Sequence, residues 1–255
     1  MERAALLARA GHRILSVIVG ILILVMLLYG GYSLWDTAML YQGAFVSSDL
    51  LKFKPSPENV DGPTLAELVA LNPDVRGWLT IDDTHIDYPV VQGKTDMDYI
   101  NKDVYGEFSL SGSIFMDSRN AADFSDSYCL LYGHHMDNGA MFGDVVEFVN
   151  KNYFDEHRTG MLYLPDGRTY TIELFACIEI DAYDTVVYQP TVQEDGNVQP
   201  LLDYIKERAS QYREIGMMAT DQIIGLSTCA DAQTNGRVVV FGRMERAEKV
   251  QEGGA

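Results

Sequence analysis

The most restrictive feature of the sequence is an uncharged stretch near its amino terminus. Residues 14–35 are 22 consecutive positions without a charged side chain. As an α-helix at about 1.5 Å per residue they would extend about 33 Å, enough to cross the hydrocarbon core of a membrane. Arg3, Arg9 and Arg13 precede the stretch and Asp36 follows it, so the positive-inside rule predicts a cytoplasmic amino terminus.

We therefore predict a cytoplasmic tail over residues 1–13, one transmembrane helix over residues 14–35 and an extracellular remainder. A cleaved signal peptide is the alternative interpretation. The apolar stretch is longer than the apolar core of a signal peptide, and it ends in aromatic residues instead of a small-residue cleavage site. The anchor is the favoured reading.

The charge balance excludes one class of partner. The chain has 37 acidic against 19 basic side chains, a net charge of −18. Such a field repels phosphate backbones, and the sequence contains neither zinc-finger spacing nor a phosphate-binding glycine loop. No nucleic-acid partner is expected.

The exported part divides into three predicted regions. Residues 36–63 end in a proline-rich, charged stretch and are predicted to form an extracellular stalk. A folded domain follows over residues 64–246, beginning where Thr64 and Glu67 match a helix capping box. Residues 247–255 are predicted to form a disordered tail.

Short β-rich runs dominate the folded region, and helical patterns interrupt them at residues 142–150 and 198–212. Eight strands need a closed or sandwiched sheet to bury their apolar faces, so we predict a mainly β fold, a closed antiparallel β-barrel with peripheral helices. The predicted strands are residues 77–81, 86–91, 113–116, 128–132, 161–164, 169–180, 222–228 and 237–244.

The sequence has three cysteines, an odd number for an exported protein, so at least one thiol lacks an internal partner. Cys129 and Cys177 lie inside apolar runs and are predicted to be inert core thiols, with a disulfide between them left open. Cys229 instead ends a predicted strand, where a rigid scaffold can present a side chain to a cleft.

Two further residues are candidates to act with Cys229. Arg237 opens the next strand, and His134 follows the strand at residues 128–132. A thiol, a histidine and a fixed cation are the minimal set for acyl transfer: nucleophile, proton donor and stabiliser of an oxyanion. The alternatives are a buried structural thiol, a strand-edge salt bridge and a loop or metal-ligand histidine.

Several segments in order resemble the sortases, membrane-anchored cysteine transpeptidases of Gram-positive surfaces, and class B sortases in particular. They are LSTC at 226–229 with the following Arg237, YGHHM at 132–136, NPDVRGWL at 72–79, IDYPVVQG at 86–93 and GSIFMD at 112–117. The resemblance covers about residues 65–244.

The resemblance implies a sortase-type barrel in which Cys229 attacks a sorting signal to form a thioacyl enzyme. His134 then acts as the proton donor and acceptor, in preference to His135, and Arg237 stabilises the oxyanion. By the same resemblance no cofactor or metal is expected, and the candidate substrate-binding residues are Tyr132, Ser227 and Thr228.

The implied partners are secreted proteins bearing a carboxy-terminal sorting signal, and an amine acceptor on a peptidoglycan precursor or a pilin. Specificity is expected to depend on the loops around residues 186–200. One alternative function is a cell-wall cysteine peptidase or L,D-transpeptidase-like enzyme. Another is a non-enzymatic membrane-anchored binding protein that uses His134 and His135 as a metal site.

Overall fold

The structure is a computed structural model that describes residues 2–41, 44–56, 62, 64–193, 196–229 and 235–247. The chain forms two compact units, Met1–Gln42 and Gly43–Ala255. Residues 248–255 of the predicted tail, and residues 42, 43, 57–61 and 63 of the predicted stalk, lie outside the described residues.

The first unit is a single helix, α1, over Glu2–Tyr41. Within it the segment Arg9–Met39 is long and apolar enough to cross a membrane, and it contains the predicted span. The helix is therefore a candidate membrane anchor.

The second unit is built around a closed eight-stranded barrel. The strands are β1 Val75–Ile81, β2 Asp87–Val91, β3 Ile114–Met116, β4 Tyr128–Tyr132, β5 Thr159–Tyr163, β6 Thr169–Asp181, β7 Ala209–Tyr212, β8 Gln222–Cys229 and β9 Gly236–Arg246. The barrel order is β5-β1-β2-β3-β4-β8-β9-β6, and pairing of β6 with β5 closes it. The short strand β7 pairs with β6. The predicted mainly antiparallel closed barrel with helices is confirmed.

Two ladders of the barrel are parallel. β2 pairs in parallel with β3, and β4 pairs in parallel with β8. Because β4 and β8 run in the same direction, the residues that follow both strands emerge at the same end of the barrel. This pairing determines which predicted site residues meet.

In the described part of this unit, four α-helices accompany the barrel: α2 Ser48–Leu51, α3 Leu65–Leu71, α4 Lys151–Glu156 and α5 Gln199–Arg208. The predicted capping box of α3 is present, with Thr64 and Glu67 bonded reciprocally. The predicted helix over residues 142–150 is a 3₁₀ helix over Gly143–Val149.

The predicted helix over residues 198–212 is wrong in its last turn. α5 ends at Arg208 because Ala209 adopts extended angles, φ −61° and ψ 121°. Gln211 and Tyr212 then pair with Cys177 and Ala176 of β6. The backbone groups of these residues satisfy a sheet edge instead of a helix.

Helix α5 covers one face of the barrel. Its Leu201 and Ile205 pack with Phe175 and Phe241 in a fully buried cluster. Cys129 and Cys177 are buried free thiols. Burial raises the pKa of both thiols, that of Cys177 to about 12, so neither forms a thiolate readily near neutral pH.

Part of the predicted stalk contacts the barrel. The Ala44 carbonyl accepts a hydrogen bond of 2.9 Å from the Tyr88 hydroxyl. Leu50 of α2 is buried, and the Lys54 ammonium lies 2.7 Å from the Asp87 carboxylate of β2. These contacts attach residues 44–54 to the domain that they precede.

Candidate active site

The three candidate catalytic residues meet where β4, β8 and β9 lie side by side. Tyr132 at the end of β4 is in register with Ser227 of β8. Cys229 at the end of β8 faces Arg237 at the start of β9. His134 follows β4 by two residues, so all three candidates lie at one rim of the barrel. The side chain of Cys229 lies outside the described part of the structure.

A cavity of about 400 Å³ opens at this rim. It contains five of the residues predicted for the site: Tyr132, His134, Ser227, Thr228 and Arg237. Of its other described lining residues, Phe115 and Gly133 lie within the quoted motifs, and Tyr188 lies in the loops expected to govern specificity. The sequence did not single out the remaining five, which are Asp96, Met97, Ile100, Arg119 and Ala182.

Hydrogen bonds join the end of β8 to the segment that carries the histidine. The Gly133 amide donates to the Ser227 carbonyl at 3.2 Å, and the Thr228 hydroxyl donates to the Gly133 carbonyl at 2.9 Å. These bonds hold the residue before His134 against the residue before Cys229. The two candidate residues are thus linked through their neighbours on both strands.

The imidazole of His134 is oriented by a backbone carbonyl. Its Nε2 lies 2.8 Å from the Ile100 carbonyl oxygen. Since a carbonyl oxygen only accepts, Nε2 carries the proton of this bond. Nδ1 is then the ring nitrogen that remains for exchange of a proton with another group.

His135 takes part in a different contact. It forms an isolated antiparallel bridge with Met141, and it is not among the described residues that line the cavity. The described residues contain no group of three or more His, Cys, Asp or Glu side chains that could hold a metal ion. Within this described part of the chain, His134 and His135 therefore have no third ligand of these types.

The guanidinium of Arg237 lies at the wall of the cavity. Its Nη1 donates to the Gly236 carbonyl at 2.9 Å, and no carboxylate among the described residues forms an ion pair with it. The remaining donors of its planar fork can therefore bind an oxyanion or a substrate carbonyl.

The sequence did not reveal an ion pair at the cavity wall, between the buried carboxylate of Asp117 and the partly exposed Arg119. The Asp117 carboxylate is fully buried and binds Arg119 through two bonds of 2.8 and 2.6 Å. It also accepts from the Tyr132 hydroxyl at 2.8 Å. Burial raises the pKa of Asp117, but the bonds from Arg119 and Tyr132 outweigh it, and the pKa lies below its ordinary value.

Tyr188, which also lines the cavity, is tied to this ion pair. Arg119 Nη2 donates to the Tyr188 carbonyl at 2.8 Å, and the Tyr188 and Ser227 hydroxyls lie 3.0 Å apart. The rings of Tyr188 and Tyr132 stack with centroids 6.3 Å apart. The hydroxyls of Tyr132, Ser227 and Thr228 are therefore all hydrogen-bonded within the protein. These three side chains contribute mainly surface shape to the cavity.

Comparison with known proteins identifies relatives of this architecture. The family model described as a Sortase domain matches residues 79–245. Sortase B of Listeria monocytogenes is 34% identical over 191 residues, covering 73% of this chain and 77% of the relative. Sortase B of Staphylococcus aureus is 30% identical over 184 residues, covering 71% and 75%.

Solved structures agree with the sequence comparison. A Streptococcus pyogenes class B sortase involved in pilus biogenesis superposes with a TM-score of 0.66 at 41% identity, covering 74% of this chain and 100% of that structure. A Staphylococcus aureus sortase B–substrate complex gives a TM-score of 0.65 at 30% identity, covering 71% and 84%.

Proposed function

Because the chain belongs to the sortase family, whose members are cysteine transpeptidases acting on sorting-signal proteins, we propose that Cys229, His134 and Arg237 are its catalytic residues. The observation that carries the proposal is the juxtaposition of the ends of β4 and β8 with the start of β9 at one cavity. This cavity is then the place where the sorting signal is cleaved.

In the first half of the reaction, the Cys229 thiol has passed its proton to Nδ1 of His134, and the resulting thiolate attacks the carbonyl carbon of the scissile peptide bond. The negative charge that develops on the carbonyl oxygen is stabilised by the guanidinium of Arg237. His134 gives the proton on Nδ1 to the departing amine as the C–N bond breaks. A thioester between the substrate and Cys229 remains.

In the second half, an amine attacks the thioester carbon and Cys229 leaves as the thiolate. Nδ1 of His134 takes the proton that the amine loses on forming the new amide bond. The Nε2–Ile100 bond holds the ring in one orientation through both halves. The enzyme is thereby returned to its starting protonation state.

Tyr132, Ser227 and Thr228 are proposed to form the substrate-binding wall. Since their hydroxyls are bonded to Asp117, Tyr188 and Gly133, they contribute surface and rigidity more than free hydrogen-bonding groups. A preformed wall lowers the entropic cost of holding an extended peptide.

Sortases act on sorting-signal substrates and on cell-wall amine acceptors. For this chain the proposed acceptor is an amine of a peptidoglycan precursor or of a pilin, and one similar structure is a class B sortase involved in pilus biogenesis. Sortases are cell-surface enzymes. We place α1 across the membrane once, with the amino terminus in the cytoplasm and the catalytic unit outside.

The test uses the full-length protein in detergent micelles with a panel of sorting-signal peptides, with and without an amine acceptor. Intact-protein mass spectrometry is expected to detect the acyl fragment on Cys229 and the amine-linked product after acceptor is added. Cys229→Ala should abolish both. Arg237→Ala should lower kcat by about 10²–10³-fold, the typical effect of losing one oxyanion donor.

Matched controls are Cys177→Ala, which removes a buried thiol, and Arg208→Ala, which removes an exposed guanidinium on α5. Both should keep the adduct and most of the activity. An adduct that persists in Cys229→Ala would refute the assignment of the nucleophile. Cleavage with no amine-linked product would favour the cysteine peptidase, and loss of Cys229 without any effect would favour a binding protein.

A further inference from the structure

The connection between β2 and β3 provides the hydrogen-bond partner of His134. Ile100, in this connection, lines the cavity, and its carbonyl oxygen lies 2.8 Å from Nε2 of His134. The nitrogen that a histidine uses in proton transfer is set by the partner of its other ring nitrogen. The position of this one carbonyl therefore decides how the imidazole is presented to the cavity.

The absence of a side chain at Gly112 leaves room for the Ile100 carbonyl in its observed position. The Gly112 φ of +62° lies in the left-handed region that favours glycine. A Cβ on Gly112 would lie 2.3 Å from the Ile100 oxygen, 2.9 Å from the Ile100 carbonyl carbon and 2.9 Å from the Tyr99 oxygen. Backbone atoms cannot move aside as a flexible side chain does, so a methyl group here would displace the peptide of Ile100.

Hydrogen bonds hold together the two segments of the connection that come close at Gly112. The Ser113 amide donates to the Tyr99 carbonyl at 3.1 Å, and the Ser113 hydroxyl donates to the Lys102 carbonyl at 2.7 Å. The Tyr99 hydroxyl is bonded in turn to Asp74 and Asn72 at 2.9 Å each. The carbonyl of Ile100 lies in the middle of this bonded frame.

We propose that Gly112 is a positioning residue for catalysis: its close approach sets the Ile100 carbonyl, which keeps the proton of His134 on Nε2 and leaves Nδ1 for the substrate. Gly112 does not line the cavity, so it acts only through Ile100 and His134. The inference rests on the proposed catalytic role of His134.

The chain offers a matched control for the test. Gly106 lies in the same connection and also has a left-handed φ, +84°, but no atom lies within 4 Å of the place of a Cβ. Gly112→Ala and Gly106→Ala therefore both place an alanine in the left-handed region, and only the first pushes on the Ile100 carbonyl. Both are made in the full-length protein in detergent micelles.

Peptide cleavage is expected to separate the two variants. Gly112→Ala should lower kcat by about 10–100-fold, as displacements near 1 Å at a catalytic group do, with KM changed less than threefold. Gly106→Ala should stay within twofold of the wild type in both. Equal kcat values for the two variants would refute the proposal.

A spectroscopic measurement provides a readout that a merely structural role would not change. With ¹⁵N-labelled histidine, the His134 signals are identified by their loss in His134→Gln. The neutral ring should be protonated on Nε2 in the wild type and in Gly106→Ala, and should be a mixture of tautomers in Gly112→Ala. An unchanged Nε2 tautomer in Gly112→Ala would overturn the inference.

If Gly112→Ala does not fold, Ser113→Ala decides the matter by removing the bond to the Lys102 carbonyl. It should lower kcat and mix the tautomers in the same direction, and a wild-type result would count against the proposal. Full activity in His134→Gln would instead refute the proposed role of His134. The tautomer comparison between the glycine variants would still report whether Gly112 sets the ring.

Discussion

At the scale of single residues, Asp117 is the charge around which the cavity wall is organised. Its carboxylate is fully buried and receives bonds from Arg119 and Tyr132, whereas the Arg119 side chain is 43% exposed. Taking a carboxylate out of water is unfavourable unless its partners remain in place. The ion pair therefore fixes the positions of the groups that line the cavity as much as it stabilises the fold.

Asp117→Asn should destabilise the catalytic unit by about 2–3 kcal/mol, because it leaves buried donors with a weaker and incomplete acceptor. Urea unfolding followed by tryptophan fluorescence measures the change. The control is Asp166→Asn, which breaks a pair of the same spacing with Arg168, but at a carboxylate side chain that is 54% exposed. The control should lose under 1 kcal/mol, and an equal loss in both variants would contradict the prediction.

The low pKa of Asp117 also predicts how stability depends on pH. A carboxyl group whose pKa is lowered by folding contributes stability that is fully present above its unfolded pKa, about 3.9. That contribution is lost as the pH falls through the lower folded pKa. The difference in unfolding free energy between wild type and Asp117→Asn should therefore be constant above about pH 5 and shrink below about pH 4. A difference that stays constant down to pH 2 would contradict it.

The candidate site shows which residue-level features a sequence can reveal. The chemistry of Cys229, His134 and Arg237 belongs to their side chains, so a sequence motif can reveal these residues as candidates. The acceptor of the His134 bond is a backbone carbonyl at position 100, and every residue type has one. Arg119 was overlooked for a related reason, since its contact with Tyr188 joins two connecting segments 69 residues apart in the sequence.

At the scale of elements, hydrophobic periodicity predicted the strands well and failed at one helix end. Leu201, Leu202 and Ile205 are buried at helical spacing in α5. Ala209 and Tyr212 continue that spacing, yet they lie in β7 and still pack against the same cluster. A helix and a strand would both pack these side chains against the cluster, so their spacing alone could not distinguish the two conformations. The observed backbone pairing with β6 makes the segment a strand.

Tyr88 of β2 joins two elements that are far apart in the sequence. Its hydroxyl donates to the Ala44 carbonyl and accepts from the Met141 amide at 2.9 Å. Met141 belongs to the loop in which Phe142 donates to the His134 carbonyl at 3.0 Å. The segment after α1 is thus bonded, through one phenol, to the loop that carries the candidate histidine.

Tyr88→Phe should lower the unfolding free energy by about 1–3 kcal/mol, since the buried Met141 amide loses its acceptor. Hydrogen exchange should become faster at Met141 and in its loop, which mass spectrometry of deuterated peptides measures. Tyr183→Phe is the control, because the Tyr183 side chain is exposed and its removal should change stability by less than about 0.5 kcal/mol. Unchanged exchange at Met141 in Tyr88→Phe would show that the phenol does not hold the loop.

At the scale of the whole molecule, strand order was the part of the fold that patterning could not supply. Each of the eight barrel strands was visible as an apolar run, but β4 pairs with β8 at a separation of 95 residues in the sequence. Parallel pairing needs a long crossover and leaves no local turn signature in the sequence. The proximity of His134 and Cys229 follows from that long-range pairing, whereas Arg237 reaches Cys229 through the adjacent ladder of β8 and β9.

We expect the membrane orientation of the whole chain to depend on charges outside the catalytic unit. Arg9 and Arg13 lie toward the amino-terminal end of α1 and Asp36 toward its other end, so the positive end should remain in the cytoplasm. An amino-terminal epitope tag should therefore be protected from protease in intact protoplasts while the unit Gly43–Ala255 is digested, and detergent lysis should expose the tag. Replacing Arg3, Arg9 and Arg13 by Glu and Asp36 by Lys should weaken or reverse this pattern. Digestion of the wild-type tag in intact protoplasts would contradict the proposed topology, because no other arrangement of one span presents the sorting-signal cavity to exported substrates.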